Sequence, residues 1–394
     1  MLDVTPSKTS EIAAQCEAIF SDLDFSAACR WKEGQVGRKV IGYMPFYVPR
    51  ELIHAAGALP LGIMGGGDQL EVIHGDAYYQ SYICRIPRST IELGVSGRLD
   101  FVDGMLFPSI CDVIRNLSGM WKLMFPKVSA RYVDLPQNFE DDVGGEFYRS
   151  DLEELRHWLA EITGQPATDD AISASIGLYN INRALVRELY AARAAEPWKV
   201  PSPEVYLLLR AGLVIPVEEH NELLRTYIDA VHRQDRPIKD NSRVVINGVF
   251  CEQPPLNLIK SIELSGCYIV DDDFMLITRW EKSDVAETGD PIAALAKSYL
   301  HNSCSTSAKY EPDVAKKGAY LIDSVRQNRA EGVIFAMPSF CDPALLERPM
   351  LQNALKAAGI PYIAFKYAEN SGQMQPIREQ AGTFADSIKL WSGE

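Results

Sequence analysis

The same order of segments runs through this chain twice, and that repetition constrains the fold more than any other feature. Residues Lys39-Val40-Ile41-Gly42-Tyr43 are apolar and strand-like. A proline-containing loop follows, then the helix-like Glu51-Leu52-Ile53-His54-Ala55-Ala56-Gly57, then a second strand-like run from Leu59 to Met64. Arg243-Val244-Val245-Ile246-Asn247 starts the order again. Pro254-Pro255, the helix-like run from Leu258 to Gly266 and the strand-like Cys267-Tyr268-Ile269-Val270 complete it. Downstream, the segment from Tyr79 to Cys84 parallels that from Tyr299 to Cys304, and Asp103-Gly104-Met105-Leu106-Phe107 parallels Glu331-Gly332-Val333-Ile334-Phe335. Short apolar strands alternating with helices predict a mostly parallel sheet in each half. The fold class is α/β: two duplicated Rossmann-like units.

Both copies end in the element Pro-Ser-x-Cys-Asp, once as Pro108-Ser109-Ile110-Cys111-Asp112 and once as Pro338-Ser339-Phe340-Cys341-Asp342. Open parallel sheets bind ligands beyond the carboxyl ends of their strands, where both elements fall. Ser109 is expected to cap a helix beginning near Cys111. In the second copy Asp342 is expected to be the cap, with Pro343 at the first helical position. A helix N-terminus stabilises a thiolate, and backbone N–H groups stabilise cluster sulfurs. A single free cysteine is more commonly a small buried hydrophobe. Repetition at two strand ends favours a ligand role for Cys111 and Cys341, and Cys84, in Tyr82-Ile83-Cys84-Arg85, joins them. Three thiols from separate strand ends suggest a metal centre assembled by the fold, an iron–sulfur cluster with one iron left open for chemistry. The spacing matches neither a ferredoxin run nor a zinc knuckle. Cys304 is the repeat mate of Cys84 and an alternative extra ligand. Cys16, Cys29, Cys251 and Cys267 read as core or adventitious.

The 394 residues are 47% hydrophobic, enough for two or three packed domains. The expected division is an N-terminal helical segment (1–36), a first α/β domain (37–149), a helical lobe (150–238) and a second α/β domain (239–394). The lobe follows from Leu152, Leu155, Leu159 and Ile162 at helical spacing, with a break at Trp198-Lys199-Val200-Pro201-Ser202-Pro203. Ile12, Cys16, Ile19 and Phe20 share one face of an N-terminal helix expected to pack on it. A net charge of −14 argues against a nucleic-acid partner. No apolar run approaches the ~20 residues of a membrane span. With no basic, apolar leader, a cytoplasmic location is the expectation. Eight cysteines in a chain of this length do not suggest a secreted disulfide framework.

Gly65-Gly66-Gly67 follows a strand and lacks the Gly-Lys-Ser/Thr end of a phosphate loop. It is either a tight turn or a loop that a ligand approaches. Arg85 and Arg88 flank Pro87 beside Cys84, and Arg115 lies one turn beyond Cys111. They suit an anionic ligand such as a phosphorylated thioester carrier, or salt bridges to Asp103, Asp112 or Glu92. His54 and His74 are candidate proton donors. Tyr78, Tyr79 and Tyr82 are candidates for hydrogen bonding or stacking. Asp271-Asp272-Asp273 has the look of a metal site but reads rather as a solvated corner after a strand, or as a loop at the site mouth.

Taken together, these segments resemble the 2-hydroxyacyl-CoA dehydratase / benzoyl-CoA reductase family, most nearly the C-type (gamma) branch of its class I reductases. Carrying the resemblance are Tyr43-Met44-Pro45, the run from Pro49 to Gly57, Gly65-Gly66-Gly67-Asp68, Ser81-Tyr82-Ile83-Cys84-Arg85, the run from Phe107 to Asn116, and Phe340-Cys341-Asp342-Pro343. The resemblance implies one [4Fe-4S] cluster on Cys84, Cys111 and Cys341. Beside these ligands, Gly65, Gly66, Gly67, Arg85 and Arg88 are the candidate cofactor-binding residues, and His54, His74 or Tyr82 the candidate proton or hydrogen-bond donors. The resemblance further implies a homologous B-type partner, a separate electron-activating ATPase made of A-type and D-type chains, and reduced ferredoxin as donor. The implied reaction is ATP-dependent dearomatisation of benzoyl-CoA to cyclohexa-1,5-diene-1-carbonyl-CoA. The alternative is a (R)-2-hydroxyacyl-CoA dehydratase component working through a ketyl radical.

Overall fold

The computed structural model describes residues 7–44, 47–248, 254–273, 283–302, 314–368 and 374–391. Two N-terminal helices, α1 (Lys8–Ser21) and α2 (Ser26–Glu33), precede the first sheet. That sheet is β1 (Lys39–Tyr43), α3 (Arg50–Ala55), β2 (Ala58–Gly62), α4 (Arg85–Val95), β3 (Gly104–Pro108), α5 (Asp112–Met124) and β4 (Ser129–Val133). Four lobe helices follow: α6 (Glu146–Thr163), α7 (Asp169–Ala195), α8 (Ser202–Ala211) and α9 (Val217–His232). The second sheet unit is β5 (Ser242–Asn247), α10 (Leu256–Leu264), β6 (Cys267–Asp272), α11 (Pro291–Asn302), α12 (Val314–Lys317), α13 (Ala319–Gln327), β7 (Gly332–Pro338), α14 (Asp342–Ala357), β8 (Tyr362–Tyr367) and α15 (Met374–Trp391).

Both sheets are four-stranded and parallel, with the orders β2-β1-β3-β4 and β6-β5-β7-β8. The repeat extends to single hydrogen bonds. In the first unit Asp103 N–H donates to the Val40 carbonyl (2.9 Å) and its carboxylate accepts from Val40 N–H (2.9 Å). In the second, Glu331 and Arg243 make the same exchange at 2.7 Å each. An acid before the third strand thus anchors the start of the first strand in both copies. Lys32 and Lys39 also bind Asp103; burial pushes its carboxyl up, but these partners hold it below the usual range.

Inner-strand residues such as Ile41, Leu106, Ile246, Ile334 and Phe335 are fully buried, as expected for strands covered on both faces. The first crossover strand ends at Gly62, slightly before the expected Met64, although Ile63 N–H still donates to the Tyr43 carbonyl of β1 (2.8 Å). The outward-facing Gly62 N–H of this edge strand donates to the Leu213 carbonyl of the lobe (2.8 Å). Helix α1 packs on α8 and α9, while α2 packs beside β1. The break expected after Trp198 separates α7 from α8. No helix among the described residues is long and apolar enough to cross a membrane.

Helix α7 is the spine between the sheets. Its 27 residues span about 40 Å at 1.5 Å per residue. Arg183 bonds the buried Glu51 of α3, and Arg193 bonds the buried Asp272 of β6 at 2.6 Å. Asn180 holds Val285 and Glu287. One helix therefore fixes parts of both sheet units through polar contacts too costly to leave unmade inside the protein.

Candidate metal centre

Each of the three singled-out cysteines is the N-cap residue of a helix leaving a strand or loop: Cys84 for α4, Cys111 for α5 and Cys341 for α14. These helices run 11, 13 and 16 residues. Only α5 presents a full set of free N–H groups at its start, because Pro87 in the first turn of α4 and Pro343 in that of α14 carry none. Asp112 lies in the first turn as expected. Ser109 does not cap α5; its Oγ accepts from Leu135 N–H at 2.7 Å and ties the element to the exit of β4. Asp342 is likewise not the cap but the first helical residue, with Pro343 behind it. The cysteine takes the cap position in both copies because the preceding N–H is still bound to the neighbouring strand: Ser109 N–H to Val133 (2.9 Å) and Ser339 N–H to Tyr367 (2.7 Å).

Cys84 and Cys341 are buried and Cys111 is half-buried. Burial pushes the Cys111 thiol up; the N–H groups of Ile114 and Val113 pull against it by donating to its sulfur. The charges of Cys341 and Asp112 raise it further, which places Cys341, from the other sheet, within electrostatic reach of Cys111. Tyr79 bridges to the third cysteine: burial raises its phenol first, then the charges of Cys84 and Cys111. Cys84, Cys111, Cys341 and Tyr79 thus form one neighbourhood beyond the carboxyl ends of both sheets.

Among the described residues, no group of three or more His, Cys, Asp or Glu side chains is close enough to share one metal ion. Thiolates that bind separate irons of a cluster stand farther apart than ligands of a single ion. The donor set fits a cluster: soft thiols only, each at a helix N-terminus, with backbone N–H groups aimed at the Cys111 sulfur.

The loop leading to Cys84 is held by a residue given another role in the sequence reading. Glu92, buried on α4, accepts N–H groups from Ile73, His74 and Gly75 at 2.7–2.9 Å and the His74 ring nitrogen Nδ1 at 2.9 Å. Burial raises its carboxyl, but these four donors bring it below the usual range. Glu92 therefore does not pair with Arg85 or Arg88. Arg88 pairs with Asp76 at 2.8 Å. Arg85 turns back onto the glycine loop, donating to Gly67 O (3.2 Å) and Leu70 O. Gly65 and Gly67 have positive φ, and a Cβ on Gly65 would stand 2.2 Å from Ser89 Oγ. The glycines make a tight turn packed on α4, one of the two readings open from sequence. The signal for Glu92 was an acid on the buried face of a helix facing a glycine.

The remaining candidates are scattered. His54 lies at the far end of α3, bonded to Ser175 (2.9 Å) and Glu218 (3.1 Å) of the lobe. The His74 side chain is 68% exposed and tied to Glu92. Tyr82 is 62% exposed and Tyr78 is 49% exposed, at the mouth of the neighbourhood. Arg115 is on the surface, its Nε donating to the Tyr132 hydroxyl at 3.2 Å. Asp272 and Asp273 are buried, which corrects the solvated corner: Arg193 holds the first, while Asn247 and Gly248 N–H hold the second. Cys16 and Cys267 are core residues, each pushed up to about 12 by burial. Cys304 and Cys251 lie outside the described residues.

The family model for 2-hydroxyglutaryl-CoA dehydratase, D-component, matches residues 45–388. The C-type subunit of benzoyl-CoA reductase of Thauera aromatica is 67% identical over 384 residues, covering 98% of this chain and 100% of that protein. The beta subunit of (R)-2-hydroxyglutaryl-CoA dehydratase of Acidaminococcus fermentans is 30% identical over 359 residues, 89% of this chain and 93% of that protein. The (R)-phenyllactyl-CoA dehydratase beta subunit of Clostridium sporogenes is 26% identical over 354 residues, 90% and 93% of the two chains.

Proposed function

The chain belongs to the 2-hydroxyglutaryl-CoA dehydratase D-component family, and from that premise we propose that it is the C-type subunit of a dearomatising benzoyl-CoA reductase. It is an oxidoreductase subunit and part of a hetero-oligomer. One observation carries the reading: identity of 67% over 98% of the chain to a reductase subunit, against 30% to a dehydratase subunit.

Cys84, Cys111 and Cys341 are proposed as the ligands of a [4Fe-4S] cluster. When bound, such a cluster supplies single electrons at low potential. The chain's own part is to hold and shield it. Three helix N-termini favour the thiolates, Val113 and Ile114 donate to the Cys111 sulfur, and the Glu92-anchored turn fixes the segment that leads into Cys84. The proposed net reaction takes two electrons and two protons per benzoyl-CoA ring and releases the conjugated diene thioester. The proposed partners are a homologous B-type chain, an ATPase of A-type and D-type chains, and reduced ferredoxin. Arg85, Arg88 and the Gly65–Gly67 turn are proposed to shape the entrance. Tyr82 and His74, exposed near it, are the proposed donors, and His54, held by the lobe, is the remoter one. The protein is proposed to work in the cytoplasm.

The test is anaerobic. The complex is purified with its natural partners and supplied with benzoyl-CoA, reduced carrier and ATP, counting ATP and electrons per product. Diene formation with stoichiometric ATP supports the reductase. Inertness toward benzoyl-CoA with turnover of a 2-hydroxyacyl-CoA after catalytic ATP would move the chain to the dehydratases.

A further inference from the structure

The hydroxyl of Tyr79 is buried and has no hydrogen-bond partner among the described residues. Three other enclosed tyrosines are supplied: Tyr148 reaches Tyr47 O (3.2 Å), Tyr190 reaches Asp272 (3.2 Å) and Tyr227 reaches Glu204 (2.6 Å). A buried O–H without a partner is rare and costly, and asks for an acceptor from outside the chain. Tyr79 does not have the freedom to turn away. It lies just beyond a 3-10 turn (Gly75–Ala77) whose entrance is pinned by Glu92, which accepts the N–H groups of His74 and Gly75. A Cβ on Gly75 would stand 2.0 Å from the Arg88 carbonyl, so turn and helix are in contact with no slack. Cys84 and Cys111 are the charged groups whose fields reach the Tyr79 hydroxyl.

We propose that Tyr79 donates its hydroxyl to a sulfur of the iron–sulfur group held by Cys84, Cys111 and Cys341, and so sets its reduction potential. Tyr79 is a positioning residue here, acting on the cluster rather than on substrate. The inference rests on the cluster assignment above. A donor to sulfur favours the more negative, reduced form, so it raises the potential. Tyr79→Phe removes the donor while keeping the ring.

The experiment compares Tyr79→Phe, Cys111→Ser and the unaltered complex, all prepared anaerobically. Iron and sulfide are counted, and the midpoint potential is read by EPR-monitored redox titration. The expectation is full iron in Tyr79→Phe with reduction disfavoured on the order of tenfold, which is about 59 mV lower for one electron. Cys111→Ser is expected to lose the cluster. An unshifted potential with iron retained overturns the role of Tyr79 and leaves the ligands standing. Loss of iron from Tyr79→Phe also overturns it, since the ring would then be a wall of the site. Full iron in Cys111→Ser overturns the ligand assignment itself.

Discussion

Arg193 illustrates how much a single side chain decides. Its guanidinium, fully enclosed, bonds Asp272 from 79 residues away and turns a run of three aspartates into an interior corner. Beside it, burial raises the Asp271 carboxyl to about 6. His220 shows the opposite charge behaviour. Asn182 donates to its Nδ1 and its Nε2 donates to the Leu208 carbonyl, so the ring is held neutral. Burial first, then the charge of Arg50, pushes it down to about 4 against the pull of Leu208. The unfolded chain therefore takes up this proton first as pH falls. Stability should drop between pH 6.5 and about 4, by an amount on the order of 3 kcal/mol. Asp151 and Glu263, raised by burial to about 6 and about 7, contribute the opposite slope. They are common to a His220→Gln variant, so the difference between the two denaturation curves isolates the histidine. A difference that does not change across that window would contradict the assignment.

At the scale of elements, the turn at Gly75 is the most demanding contact near the site. Gly75→Ala would drive a Cβ into the backbone of α4, where no flexible side chain can yield. Such overpacking costs about 1–3 kcal/mol. Thermal unfolding should register that loss, and iron content should fall because the turn leads into Cys84. Normal melting with normal iron would mean that the loop is free to move. Much at this scale was legible in the sequence. The strand–helix order, the repeated Pro-Ser-x-Cys-Asp elements and the helical lobe all follow from local pattern, because a parallel strand needs a crossover and an amphipathic helix needs its periodicity. The capping detail was not legible. Ser109 has the chemistry of a cap, but the ladder bond from Ser109 N–H delays the helix until its side chain has passed the cap position.

On the scale of the whole molecule, Cys84 and Cys111 come from the first sheet unit and Cys341 from the second. Helix α7 holds both units through Glu51 and Asp272. A group bound by all three thiolates links the halves a second time, so it stabilises the folded state by its binding free energy. Anaerobic removal of iron by a chelator should therefore lower the melting temperature of the purified complex and open the region between the sheets to protease. An unchanged melting temperature after complete iron loss would count against a cluster spanning both halves.

By itself the sequence determined the two α/β units, the thiols Cys111 and Cys341 beyond their third strands and the family, because each is written in local order, spacing and residue type. Cys84, expected at a strand end, instead follows a long loop after β2. Which groups meet was decided only by the tertiary structure. Glu92 could not be matched to three backbone N–H groups, nor Arg193 to Asp272, since such pairings depend on how distant elements pack. Tyr79, rather than the more exposed Tyr82, comes within electrostatic reach of Cys84 and Cys111 for the same reason. Its role depends on a turn pinned from α4 and on a hydroxyl left over when every nearby bond has been made.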